Sequence, residues 1–269
     1  MKQRMSVGLP NGLVCYLTSA SMLTTAKGLR WEVFKRRTYL RPGFELRPDD
    51  TVIDIGGNIG IFLLWAAPQV PKGRLISVEP NPAALECLML NISRNGLRNI
   101  SVVPAAVAGE QGLMQLVYHP GWEIMAHSAA VNAPWFCTGS AVARLSRWLL
   151  QRSFHHTPAS APAQTIEVEQ TTLSRIMDAH GSGLVNYLKI DCEGSEYEIV
   201  RSMDAAHWSR IERVVIEYHD YGRGRKHGEL VEVLRQNGFD VEVMRPWPTY
   251  IVACLGARIG MIWARRHLQ

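Results

Sequence analysis

Asp54, Glu79, Lys189, Asp191, Glu193, Glu217 and His219 are side chains whose types and spacing suit chemistry. The first two belong to one pattern. The run Thr51-Val-Ile-Asp54-Ile-Gly56-Gly57-Asn58-Ile-Gly60 carries an apolar strand into a carboxylate, then a glycine-rich turn, then the apolar helix 61–67. Glycines in such a turn let a nucleotide-like ligand approach the backbone, and the helix N-terminus offers free N–H groups. Glu79 ends the next strand, Arg74-Leu-Ile-Ser-Val-Glu79. A carboxylate there accepts both hydroxyls of a ribose. The pair predicts a nucleoside cofactor.

Glycine spacing narrows the cofactor class. The dinucleotide fingerprint needs glycines at its first, third and sixth positions, whereas here they fall at Gly56, Gly57 and Gly60. A pyrophosphate also disfavours an anionic Asp54, so a nicotinamide-dependent oxidoreductase is the runner-up. A sulfonium cofactor with an amino-acid tail suits Asp54, whose carboxylate takes the ammonium group or its bound water. An acid, a glycine turn and a second acid one strand later form the pattern of S-adenosylmethionine (SAM) methyltransferases. Two readings compete: a glycine turn that caps a helix and binds nothing, and a non-catalytic SAM-binding protein. Intact acids at both clusters argue against lost catalysis.

The second cluster suits methyl transfer to an alcohol, which must lose its proton near an in-line transition state. Strand alternation puts Lys189 and Asp191 on one face, with Glu193 just beyond the strand, while Glu217 and His219 share a face of the neighbouring strand. His219 is the best single general base, because its ordinary pKa lies near physiological pH. A second mechanism uses Asp191 with Glu217 or His219 as hard ligands for a divalent cation that polarises the acceptor. Glu196 and Glu198 read as first-turn acids that complement a helix dipole.

Elements that position these groups follow from the apolar pattern. Residues 1–45 form an N-terminal accessory segment with a helical pattern over 20–36, and the catalytic domain spans 46–269. Strands are predicted at 51–55, 74–79, 100–103, 165–168, 184–191 and 213–218. Helices are predicted at 59–67, 82–95, 171–179, 195–203 and 228–237. The runs 105–108 and 113–118 read as a β-hairpin, and 239–244 with 250–255 as a closing antiparallel pair. Such alternation implies an α/β fold with a mostly parallel sheet and helices on both faces. The insert 119–164 reads as a lid-like substrate element with a helical candidate at 141–152. Its Trp122, Trp135 and Trp148 suit stacking on an acceptor or packing, and His127 is a possible substrate contact.

Composition bounds the rest. The 269 residues suit one large domain with appendages, and 47% hydrophobic with 20% charged residues is ordinary for a globular protein. A net charge of +5 is spread over short basic clusters, so no nucleic-acid partner is expected. Five cysteines without a C-x-x-C pair favour a reducing compartment. With no leader pattern and no run of roughly eighteen apolar residues, the expected location is cytoplasmic, without a transmembrane segment.

A specific likeness joins these features. Asp54-Ile-Gly-Gly-Asn-Ile-Gly60, Val78-Glu79-Pro80-Asn81-Pro82, Asn91 with Asn95-Gly-Leu97, and the stretch 105–112 occur in order. Leu188-Lys189-Ile-Asp191-Cys-Glu193-Gly194-Ser-Glu196-Tyr-Glu198 and Val215-Ile-Glu217 follow. Over roughly residues 45–240 the chain resembles the FkbM family of SAM-dependent methyltransferases, with Gly57 for a more usual alanine and Cys192 for a more usual valine. The resemblance implies a Rossmann-like class I methyltransferase fold with a seven-stranded sheet. It also implies an O-methyltransferase acting on a sugar, polyketide or other small-molecule or glycan hydroxyl acceptor. By likeness, Asp54, Gly56, Gly57, Asn58, Gly60, Glu79 and Pro80 hold SAM, Ala106 and Val107 lie near the adenine, and Asp191 sits beside the methyl group.

Overall fold

The computed structural model describes residues 5–119, 122–130, 163–180, 183–221, 226–244 and 257–266. Apolar alternation builds the central strands: β3 (Thr51–Ile55), β4 (Arg74–Val78), β5 (Ile100–Val103), β10 (Tyr187–Ile190), β11 (Arg213–Tyr221), β12 (Asp240–Met244) and β13 (Ala257–Arg265). They form one seven-stranded sheet in the order β5-β4-β3-β10-β11-β13-β12. The measured pairings are parallel from β5 to β11, and β13 runs antiparallel to both neighbours. This is the mostly parallel α/β architecture expected from the sequence.

Because successive strand residues face opposite ways, the sheet buries two cores. Ile53, Ile55, Ile76, Leu188, Ile190 and Ile216 face one side. There they meet helices α4 (Leu173–Ala179), α5 (Glu196–Ser202) and α7 (His227–Gln236). Val52, Leu75, Tyr187 and Val215 face the other side, under α2 (Ile61–Ala66) and α3 (Pro82–Arg94). Asn81 caps α3 by accepting from the Ala83 N–H at 3.1 Å, and proline occupies its first turn. A short helix absent from the sequence reading, α6 (Ala205–Ser209), is capped by Asp204.

The N-terminal segment joins this second core. It contains β1 (Met5–Gly8), β2 (Val14–Leu17), α1 (Met22–Arg30) and a π-helical turn, Trp31–Arg36. Leu17, Met22, Val33, Tyr39 and Phe44 pack with Val52, Phe62 and Trp263. Two asparagines of the sequence pattern clamp it to α3. Asn91 Oδ1 accepts from Tyr16 N at 2.6 Å, and Asn95 exchanges two hydrogen bonds with the Val14 backbone at 3.0 and 2.8 Å.

Two expectations need correction. The runs 105–108 and 113–118 do not pair with each other. Strand β9 (Gln164–Thr171) lies between β6 (Ala106–Val107) and β7 (Gly112–His119), and β8 (Trp122–Ser128) pairs β7 on its far side. The reason is cover: Ile166 and Val168 of β9 need apolar neighbours, and Ala106, Met114, Leu116 and Ala126 supply them. The last strand is 257–265 rather than 250–255, whose residues lie outside the described ones. Its nine paired positions along β11 include Ile262 and Trp263, both buried. The helical candidate 141–152, together with Trp135 and Trp148, also lies outside the described residues.

Opposite the carboxyl edge, a buried ion pair holds the loop before β3. Arg213 Nη2 lies 2.8 Å from Asp50 Oδ2, and both side chains are 1% exposed. The same guanidinium donates to the Asn186 and Glu45 carbonyls. Removing one member of such a pair strands a buried charge. Asp50→Ala should therefore lower unfolding free energy by about 3–5 kcal/mol, read from urea melts. A loss below about 1 kcal/mol would show that water satisfies the guanidinium.

Candidate functional site

The glycine turn after β3 is shaped by close approach. Gly56 and Gly60 hold φ of 81° and 89°, and Asn58 also adopts left-handed backbone at 47°. A Cβ at Gly56 would overlap the Asp191 carbonyl, and one at Gly57 would overlap Ser77 Oγ. Gly56 and Gly57 both donate to the Val78 carbonyl at 3.0 Å, which lays the turn across the end of β4.

Glu79 sits at that end, 5% exposed. Its carboxylate accepts from Asn58 N and Asn81 N, each at 2.8 Å. Burial pushes its pKa up to about 7, against the pull of those two hydrogen bonds. Pro80 continues the turn into α3. Asn81 Nδ2, buried beside Glu79, has no hydrogen-bond partner among the described residues. Glu79 N donates to the Val103 carbonyl, and Ala105 N donates to the same oxygen, so Ala106 and Val107 follow directly along this edge. A carboxylate with spare lone pairs, an orphaned amide and a Cβ-free turn fit a nucleoside such as that of SAM.

Asp54 is placed differently from its expected role at the amino-acid tail. It turns inward, 2% exposed. Oδ1 receives Lys189 Nζ at 2.9 Å, and Oδ2 accepts from Ser77 Oγ at 3.1 Å. Lys189 also donates to the Gly56 and Ile55 carbonyls at 3.1 and 3.4 Å and lies 3.6 Å from Asp191 Oδ2. Burial alone would discharge the ammonium, but Asp54, Asp191 and Glu217 outweigh it and raise its pKa. Lys189 thus joins the cofactor turn to the second acidic cluster.

That cluster is real and larger than the sequence implied. Just past β10, Glu193 has φ of 52° and Gly194 of 106°, and this left-handed loop turns the acidic side chains to the edge. Asp191 and Glu193 keep side-chain exposures of 21% and 19%. Burial with the Asp191 charge raises the Glu217 pKa well above the usual carboxylate range. Tyr39, from the N-terminal segment, donates toward Asp191 Oδ2 at 2.9 Å, with Glu217 Oε2 and Glu32 Oε1 each at 3.4 Å.

Two sequence assignments change here. His219 is 2% exposed, with Nδ1 2.9 Å from Glu196 Oε1 and Nε2 3.7 Å from Glu193 Oε2. Burial lowers its pKa, but Glu193, Glu196 and Glu217 raise it well above normal on balance. A ring held as the cation is a partner for acids, not the free base that its type suggested. Asp191, Glu217 and His219 also do not converge as cation ligands. The Tyr39 hydroxyl stands between the two acids, and His219 turns to Glu196. Among the described residues no three His, Cys, Asp or Glu side chains form such a group.

Sequence reasoning missed Glu32, Tyr39 and the function of Glu196. Glu196 is more than a first-turn acid: its fully buried Oε1 gathers Cys192 N and Gly194 N at 3.1 Å as well as His219. Its place within the acidic motif was the available signal. Tyr39 lies 152 positions from Asp191, and nothing in the sequence connects them. A cavity of roughly 480 Å³ lined by Arg74, Arg98, Asn99 and His180 opens at the amino ends of β4 and β5, away from this edge.

Comparison with known proteins identifies the family. Residues 54–241 match the methyltransferase FkbM domain. The 31-O-demethyl-FK506 methyltransferase FkbM of Streptomyces tacrolimicus is 31% identical over 261 residues, covering 96% of this chain and 95% of that protein. Methyltransferase 1 of Beauveria bassiana is 28% identical, covering 74% and 76%. Among solved structures, M. jannaschii TYW2 in complex with AdoMet shares 13% identity at a TM-score of 0.47, covering 99% of this chain and 88% of that one.

The packing of Gly57 against Ser77 makes a direct test of the turn. Gly57→Ala should lower Tm and cofactor affinity, because the new methyl meets Ser77 Oγ. Adding Ser77→Ala removes that oxygen and leaves Ser77 Cβ at an ordinary 3.5 Å, so the double variant should recover most of both losses. Additive losses in calorimetry and thermal melts would show that the clash is not the cause.

Proposed function

We propose that this chain, which belongs to the FkbM methyltransferase family, methylates a hydroxyl oxygen on a small-molecule acceptor such as a sugar or polyketide. That it is a SAM-dependent methyltransferase follows from the family, and this sets aside the nicotinamide and non-catalytic alternatives. The observation that carries the oxygen reading is a pair of partly exposed carboxylates, Asp191 and Glu193, one step from the cofactor turn through Lys189. An alcohol needs a group to take its proton as the new bond forms. The name of the Streptomyces relative, an O-demethyl compound's methyltransferase, supports the same reading.

SAM, when bound, supplies an electrophilic methyl on a sulfonium. Glu79 accepts the ribose hydroxyls, while Gly56, Gly57, Asn58 and Gly60 let the backbone approach the ligand. Lys189 fixes Asp54 and Asp191 relative to each other across the turn. Asp191 receives the acceptor's proton, with Glu193 beside it at the opening. Strand β8, within the 119–164 insert, packs against α1 of the N-terminal segment. Among the described residues no helix is long and apolar enough to cross a membrane.

Two measurements check this reading. Protein incubated with methyl-labelled SAM and either 31-O-demethyl-FK506 or a panel of hydroxylated sugars and polyketides should yield S-adenosylhomocysteine and a methyl ether. Label recovered only on nitrogen or sulfur acceptors would overturn the oxygen assignment. The second concerns Glu79, whose ionised form is the ribose acceptor. With its pKa at about 7, SAM affinity should fall roughly tenfold as pH drops from about 8 to 6. Glu79→Gln should bind about 1–3 kcal/mol more weakly with a flat profile. A pH dependence unchanged in Glu79→Gln places the titration elsewhere.

A further inference from the structure

Resting on Asp191 as the acceptor-side acid, we propose that Tyr39 is a positioning residue of the transfer reaction. Its hydroxyl aims Asp191, and Glu32 and Glu217 behind it hold protons that keep that hydroxyl on Asp191.

The geometry argues this from a single hydrogen. The Tyr39 hydroxyl has one proton and three carboxyl neighbours: Asp191 at 2.9 Å, and Glu32 and Glu217 at 3.4 Å. It donates to Asp191, the nearest. Its oxygen lone pairs then face Glu32 and Glu217, which is repulsive unless those acids carry protons and donate back. Burial, followed by the Asp191 charge, pushes Glu32 up to about 7 and Glu217 well above the usual range. The facing charges are Glu32 and Arg36 from the N-terminal segment, Lys189 from β10, Asp191 and Glu193 beyond it, and Glu217 and His219 from β11.

Placement is enforced locally. The π-helical turn Trp31–Arg36 ends in left-handed Arg37, and Thr38 N returns to the Glu32 carbonyl, so Glu32 and Tyr39 meet although seven positions apart. Such turns recur at functional sites. Tyr39 is held at both ends. Its carbonyl accepts from Tyr187 Oη at 2.6 Å, and its ring stands edge-on to Phe62 with centroids 5.3 Å apart. The Lys189 ammonium lies 5.3 Å from the same ring.

In the reaction, the acceptor O–H and the cofactor S–CH₃ bonds break as the O–CH₃ bond forms. The sulfonium becomes a neutral thioether, and the proton passes to Asp191. Asp191 takes it on its other oxygen, so the Tyr39 hydroxyl stays on Oδ2, and Asp191 releases the proton to water at its partly exposed edge.

Tyr39→Phe keeps the ring and removes the hydroxyl. Infrared titration of carboxyl groups in the cofactor-free protein, assigned with Glu32→Gln and Glu217→Gln, reads the cluster without an acceptor. The Glu32 midpoint should fall by about one pH unit in Tyr39→Phe, because the protonated acid loses the oxygen that accepts from it. The acid limb of kcat in the methyl-transfer assay should move to higher pH, because Asp191 loses its donor, with SAM affinity within about twofold of wild type. Identical titrations in wild type and Tyr39→Phe overturn the proposal, as does Glu32→Gln leaving the neutral-pH carboxylic acid signal unchanged. A shifted titration with methyl found only on nitrogen supports the cluster while the oxygen reading fails, so the two failures are distinguishable.

Discussion

A buried ammonium organises this protein. Lys189 is 2% exposed, yet touches Asp54, the Ile55 and Gly56 carbonyls and Asp191. An isolated charge at that depth is expensive, and it persists because several oxygens and two aromatic rings surround it. Through it, the end of β3, the glycine turn and the end of β10 become one unit. A change that weakened the Asp54 contact would be felt at the cofactor turn and at the acids together.

The acids around that ammonium share one edge of the sheet, and Glu32, Asp191, Glu193 and Glu217 are all partly buried. Asp191 and Glu193 keep partial contact with solvent, while Glu32 and Glu217 are driven toward their neutral forms by burial and by each other. His219 takes no part as a free base because Glu193 and Glu196 hold its proton.

Cover for this edge comes from the N-terminal segment, on which the second sheet packs. The N-terminal segment brings Glu32 and Tyr39, and the second sheet brings β8 against α1. The second sheet exists because β9 returns to fill the gap between β6 and β7. That return restores the chain to α4 and β10 at the level of the site. Specificity for an acceptor would then reside in segments outside the seven-stranded sheet, which is occupied with holding the cofactor turn and the acids.

Much of the fold was legible because its rules are local. Apolar alternation marked the strands of the sheet except the last, where 257–265 rather than 250–255 pairs β11. Asn81-Pro82 and Asn95-Gly96 marked the limits of α3. Gly56, Gly60 and Glu79 were legible as a left-handed turn and a strand-end acid because both depend on neighbours in sequence. What only tertiary structure decided were contacts between residues far apart: Lys189 with Asp54, Tyr39 with Asp191, Glu196 with His219, and β9 between β6 and β7. Residue type alone named Asp54 a ligand for the amino-acid tail and His219 a base. The fold turns Asp54 inward to Lys189 and Ser77 and sets His219 against Glu196, since the direction a side chain faces is set by what the folded chain packs around it.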